Sequence, residues 1–385
     1  MSKFINIHII HNYPVSCLNR DDANAPKDCE IGGYTRARIS SQCLKRAVRV
    51  HLGGEFSLGT RSRHFPQILI DKLILAGKDK DQATKLVNRI FSAFAKVSES
   101  EEMSAEAEEK PDNKSVLLHV PPLFEQKLDG ISKSIISNWE TLKGTIAKGE
   151  TKETGDKKGK KKDNKKAWNP KKGQPDFELM KMMKEFVGKP QDAVDIALFG
   201  RMLASNKDFS VNGVCSVAHA FSTNRIKKDT DFFTAVDDLS HDSGAGMMGN
   251  IDFNSACYYQ FATLDYTRLS EVMGTDAKNV ALACVDAFAK ANPSGKQNTM
   301  CALTPPDFIL VAIGNQSLSY ANAFVKPIRP DEKDLTSNSI EALVKECNSL
   351  ESFFKPNVCS WCRSMQIGNS VADFGVFMTQ VGEQL

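Results

Sequence analysis

The chain has 385 residues, 41% of them hydrophobic and 25% charged, with a formal net charge of only +3. Such a composition is ordinary for a globular protein and allows a large core in two or three domains. It excludes bulk charge as the source of any nucleic-acid surface, which has to come from local clustering.

The opening MSKFINIHII is too short for the apolar region of a signal peptide and lacks a cleavage site. No run reaches membrane-spanning length, so the chain is read as cytoplasmic with no membrane partner. Residues 3–11 alternate Ile5, Ile7 and Ile9 with Asn6 and His8, which predicts a first strand with one buried face.

Ser16–Leu52 follows, with seven Lys or Arg residues against four acids. A turn, a Pro-containing loop and Gly32-Gly33 lead to a short extended piece, and Ser40-Ser41 then opens a helix. Within it Gln42, Lys45, Arg46 and Arg49 fall at i, i+3, i+4 and i+7, opposite Leu44, Ala47, Val48 and His51. One face packs while the other presents an amide and cations beside a positive helix N-terminus, an arrangement suited to phosphates.

Two helices broken near Gly77 are expected between Pro66 and Val97. Residues 98–112 are strongly acidic, and 143–173 are lysine-dense with almost no aliphatic residues, which predicts a mobile loop. Residues 177–188 resume a helix. VDIALFGRM (194–202) reads as a strand, or a strand entering a turn, whereas Asn212–Thr223 has no assignable state. The charged, aromatic and glycine-bearing stretch 224–249 reads as a protruding hairpin. A strand over 251–261, a helix over 276–291, a strand over 307–313 and a late helix over 337–353 follow. The tail VADFGVFMTQVG is read as a final strand. Together these predict an α+β sheet domain with two insertions, at about 61–188 and 224–249.

No constellation for catalysis is present. The chain lacks a phosphate-binding GxxxxGK[ST] loop, a GxSxG elbow and a GxGxxG turn. Asp21-Asp22 and Asp237-Asp238 are acid pairs without a converging partner, and His219 reads as a core histidine. Ten dispersed cysteines without a secretion signal read as reduced thiols, and Cys359 and Cys362 have metal-ligand spacing but no second pair. No metal and no cofactor are expected.

The blocks SCLNRDD, IGG and RARISSQCLKRAVR near the start resemble the CasC family, the backbone subunit of the type I-E CRISPR Cascade complex. The resemblance resumes at VDIALFGRM, SVAHAFST, DFFTAVDDL, GNIDFNSACYYQFATLD and PSGKQN through SLSYANAFVK. It is weak over about 60–190 and after about 330. It implies a modified RRM/ferredoxin-like palm (1–60, 189–223 and 250–385), a helical fingers insertion (61–188) and a thumb hairpin (224–249). It also implies stacking of copies along a guide RNA (crRNA), displacement of one base at regular intervals, and pairing with target DNA in antiviral defence. The implied partners are other Cascade subunits and a recruited helicase-nuclease.

By the same resemblance Arg20, Lys27, Ser40, Gln42, Lys45, Arg46 and Arg49 would hold guide phosphates and sugars. Met202 and Phe233, with Phe232 beside it, would press on bases, and Lys326 and Arg329 would add backbone contacts. By analogy, the lysines of the 157–172 tract (Lys157, Lys158, Lys160, Lys161, Lys162, Lys165 and Lys166) would attract DNA. An alternative, taken from related backbone subunits that cut RNA in type III complexes, is a ribonuclease using Asp21 or Asp22.

Overall fold

The computed structural model describes residues 2–91, 117–143, 177–203, 209–236, 239, 245–331, 333–354, 361–366 and 373–385. The acidic stretch 98–112, the lysine tract, Asp237-Asp238 and Cys359 lie outside them. In chain order the elements are β1 (Phe4–Ser16), β2 (Asp28–Ile31), β3 (Tyr34–Ile39), α1 (Ser41–Leu52), β4 (Thr60–Ser62), α2 (Phe65–Leu75), α3 (Lys80–Phe91), β5 (Leu118–Val120) and α4 (Phe124–Ser137). Next come α5 (Phe177–Val187), α6 (Val194–Phe199), β6 (Cys215–Val217), β7 (Ala220–Ser222), β8 (Asp229–Val236), β9 (Ala245–Asp265), α7 (Tyr266–Met273) and α8 (Ala277–Lys290). The short α9 (Gln297–Met300), then β10 (Phe308–Gly314), α10 (Leu335–Phe354), β11 (Trp361–Gln366) and α11 (Phe374–Glu383) complete the order.

Two compact units result, Met1–Phe56 with Val214–Leu385, and Ser57–Gly213. The first is built on a sheet in the order β11–β10–β1–β9–β7–β3–β2, with β6 and β8 also paired to β9. Its recorded strand pairs are antiparallel. β1 lies between β10 and β9, and every residue from Ile5 to His11 is buried. The expectation of a single buried face is therefore corrected. Ile7 and Ile9 meet Leu44 of α1 and Phe288 of α8. On the other face His8 stacks on Tyr320, 4.1 Å between ring centroids, and donates to or accepts from the Tyr259 hydroxyl at 2.9 Å. Asn6 Nδ2 donates to the Gln316 carbonyl at 3.0 Å. The polar residues that suggested a wet face thus lie inside, with Asn6 Nδ2 and one ring nitrogen of His8 hydrogen-bonded and His8 Nε2 buried without a hydrogen-bond partner among the described residues.

β9 is long enough to serve two partners. Its C-terminal half pairs with β1 and its N-terminal part pairs with β8, from Asp229↔Phe253 to Val236↔Ala245. That hairpin lies where 224–249 was expected to protrude, and β8 is exposed along nearly all its length.

The second unit packs α2–α5 and the small β4–β5 pair around one core that includes Phe65, Leu86, Ile131, Met183 and Phe186. The two helices expected around Gly77 are α2 and α3. Two elements differ from expectation. VDIALF forms helix α6 and not a strand, with Val194 through Leu198 all buried. The tail forms helix α11, started by Asp373, whose carboxylate accepts from the Val376 amide at 2.8 Å. Residues 189–213, expected with the sheet, group with the helices. Among the described residues no helix is long and apolar enough to cross a membrane.

Candidate nucleic-acid interface

Helix α1 forms because its apolar positions recur with helical spacing and Ser40 caps its start. The Ser40 hydroxyl accepts from the Cys43 amide at 3.3 Å, and the Ser40 amide donates to Asn19 Oδ1 at 2.9 Å. Leu44, Val48 and Leu52 are buried, whereas Gln42 and Arg46 are exposed and Lys45 and Arg49 half-buried. No acid occupies the first turn. The helix thus offers a cationic face that runs from its middle to its last turn, with Gln42 in the first turn at the positive end of the dipole. Ser40 itself is buried, and its side chain is engaged in capping.

The preceding loop brings Arg20 and Lys27 to the same neighbourhood. Arg20 is exposed, and its Nη1 donates to Asn24 Oδ1 at 3.2 Å, while the half-buried Lys27 is tied by its amide to the Asn19 carbonyl at 2.8 Å. Burial pushes the Cys43 thiol up, opposed by Lys27 and Arg46, so both cations reach the base of α1. Lys326 and Arg329 are exposed on the segment after Phe324.

One member of the basic cluster serves a different purpose. Arg36 is fully buried, and its Nη1 donates to the carbonyls of Ser222 and Thr223, both at 2.7 Å. Its Nη2 donates to Phe324 at 2.9 Å and Val325 at 3.3 Å. Burial holds this guanidinium below its usual range. Arg36 therefore joins β3 to the segment that carries Lys326, and is not part of the solvent-facing set. Arg38 is half-buried; its Nη1 lies 3.1 Å from Nδ1 of His219, which is exposed and not in the core as expected.

In the β8–β9 hairpin, Phe232 and Phe233 are neighbours on β8 and project to opposite faces. Phe232 is 62% exposed. Phe233 is half-buried against Gly249, its cross-strand partner.

Met202 belongs to the helical unit, where it is 85% exposed. The preceding Arg201 is buried and donates to the carbonyls of Val187 at 2.6 Å, Phe209 at 2.9 Å, and His119 and Gly188 at 3.1 Å. Burial lowers its pKa to about 10, which leaves it charged at neutral pH. Nearby, Asp195 is wholly buried and accepts from the Gly59 amide at 2.9 Å, with His119 Nε2 at 3.0 Å. This polar network sets the turn that exposes Met202.

Asp21 Oδ1 accepts from the Ala25 amide at 2.9 Å, closing the loop after β1, while Asp22 is exposed. Among the described residues no three His, Cys, Asp or Glu side chains converge as a metal site. Lys296 is a cation that the sequence reading did not single out. It stands in the left-handed region, φ 53°, on a loop against the backbone of Cys17 and Leu18.

The family described as CT1975-like protein matches residues 5–375. A chain of a solved CRISPR RNA-guided surveillance complex, pre-nicking, is similar with a TM-score of 0.75 and 26% identity, over 99% of each chain. A chain of a second CRISPR RNA-guided surveillance complex shares the fold, with a TM-score of 0.68 and 22% identity over 99% of this chain and 100% of that one. No curated protein sequence matches.

Proposed function

The chain belongs to the CT1975-like protein family, and from that premise we propose that it is a crRNA-binding backbone subunit of a Cascade-type surveillance complex. The observation that carries this is the acid-free cationic face of α1, flanked by Arg20 and Lys27 on the loop before it. Such a face meets phosphates and sugars and leaves sequence to be read by base pairing.

The finer reading follows the type I-E pattern. Copies of the chain stack along the guide with other Cascade subunits, and target DNA pairs in short segments between displaced bases. A helicase-nuclease recruited to the complex executes cleavage, and the chain itself is not catalytic. The engagement of the Asp21 carboxylate with the Ala25 amide supports a structural role for that acid. The palm reading is supported by the strand order β10–β1–β9–β7, with α1 and α8 in the connections. Phe233 on the hairpin is the group we assign to the displaced base, with Phe232 and Met202 as further apolar contacts.

Fluorescence anisotropy with two single-stranded RNAs of unrelated sequence tests this. The reading requires equal affinities that fall steeply with salt. A strong preference for one sequence, or salt-independent binding, would count against it.

A further inference from the structure

Met202 is flanked by two residues whose backbones are both pinned. On one side Arg201 exchanges two backbone hydrogen bonds with Val211, its amide donating at 2.9 Å and its carbonyl accepting at 2.8 Å. On the other, the Leu203 amide donates to Ser210 Oγ at 3.2 Å, and the same hydroxyl donates to the Leu203 carbonyl at 3.1 Å. Gly200 enters the segment with φ 78°, and a Cβ there would lie 2.5 Å from the Val211 carbonyl oxygen. Only glycine permits that approach. Arg201 and Leu203 turn inward and are buried, and Met202 between them turns out.

Inside, Arg201 joins three further pieces of the helical unit. Its hydrogen bonds go to the carbonyls of His119 in β5, of Val187 and Gly188 at the end of α5, and of Phe209. Burying a guanidinium is costly, and four carbonyl bonds from one rigid fork return a single backbone geometry. Methionine has three rotatable side-chain bonds, so an exposed one has little direction of its own. Its direction comes from the backbone beneath it, which here is clasped on both sides.

We propose that Arg201 and Ser210 are positioning residues for the Met202 contact, fixing where its thioether meets a base of the bound strand. This rests on the RNA-binding reading above, in which Met202 presses on a base. Arg201 acts from inside the unit, and Ser210 acts through the Leu203 backbone.

The test titrates the full-length protein, freed of nucleic acid, with single-stranded RNA at several salt concentrations. Met202→Ala is expected to weaken binding several-fold and keep the native log–log salt slope, since no phosphate contact is lost. Ser210→Ala, and Arg201→Lys, which keeps the charge and loses the fork, are expected to lose part of that affinity with the slope again native. In the Met202→Ala background, Ser210→Ala is expected to cost nothing more, because the contact that it positions is gone. A merely structural role gives the same factor in both backgrounds, and that result, or native affinity in Ser210→Ala, overturns the proposal. Thermal melting reports whether each variant is folded, and the Ser210→Ala cycle decides if Arg201→Lys unfolds. Native affinity in Met202→Ala, with Arg46→Gln weakened, removes the base contact and its positioning while RNA binding stands. If Arg46→Gln also binds as the native protein does, the RNA reading itself falls.

Discussion

The ring of Phe233 lies across the backbone of Gly249, its antiparallel partner, so closely that a Cβ added there would come within 2.7 Å of Phe233 Cζ. Glycine therefore fixes the posture of the aromatic that we assign to the displaced guide base. Phe233→Ala is expected to cost about 1–3 kcal/mol of RNA affinity, the range for one base stacked on an aromatic ring. Gly249→Ala should produce part of that loss with the ring still present. Phe232→Ala, on the opposite face of β8, should cost less. Anisotropy titrations with the three variants check this, and equal losses at Phe232 and Phe233 would remove the special role of Phe233.

Two arginines of one cluster should behave in opposite ways. Arg36 serves four backbone carbonyls inside the fold, so Arg36→Met is expected to destabilise by about 3 kcal/mol in urea unfolding. Arg46 is exposed, and Arg46→Gln should change stability by less than about 0.5 kcal/mol. It should nevertheless weaken RNA binding. Reversing charge at Lys45, Arg46 and Arg49 together should flatten the salt slope by about 2 or more, at about 0.7 per lost contact. An unchanged slope would contradict the assignment of α1.

Stability should fall on the acid side because of two buried histidines of β1, His8 and His11. Burial lowers His8 to about 3 and His11 to about 4, the latter despite a hydrogen bond with the Thr304 carbonyl. Both native values lie below the unfolded value of about 6.5. The unfolded chain therefore takes up protons that the native state refuses, and the contribution is complete above pH 6.5 and lost as pH falls toward 4. Between pH 7 and pH 5 the loss is up to about 2 kcal/mol per histidine. Urea midpoints across that range check it, and His8→Phe should flatten the dependence.

The lysine tract makes a separable claim. Deleting residues 157–172 should leave binding to single-stranded guide unchanged and reduce retention of non-target duplex by the assembled complex. Unchanged duplex retention would reduce the tract to a linker.

The cationic face of α1 was legible because capping and helical periodicity are local. The buried role of Arg36 was not, since its carbonyl partners lie more than 180 residues away in sequence. β1 was recognisable as a strand, but Asn6 and His8 concealed its central position because their partners are tertiary. VDIALF misled for a different reason. A six-residue, mostly apolar run is too short for its period to separate a strand from a helix buried all round, and the buried role of Asp195 depends on tertiary partners. In the tail, Asp373 was a legible helix start that the apolar alternation after it obscured.

The central claim is that this chain holds a guide RNA by its backbone. The most direct measurement is to purify the protein from cells that express its partner subunits and guide locus, and to size the RNA that remains bound. The account predicts a discrete RNA of uniform length that is released by high salt. Protein free of RNA, or carrying fragments of random length, would contradict it.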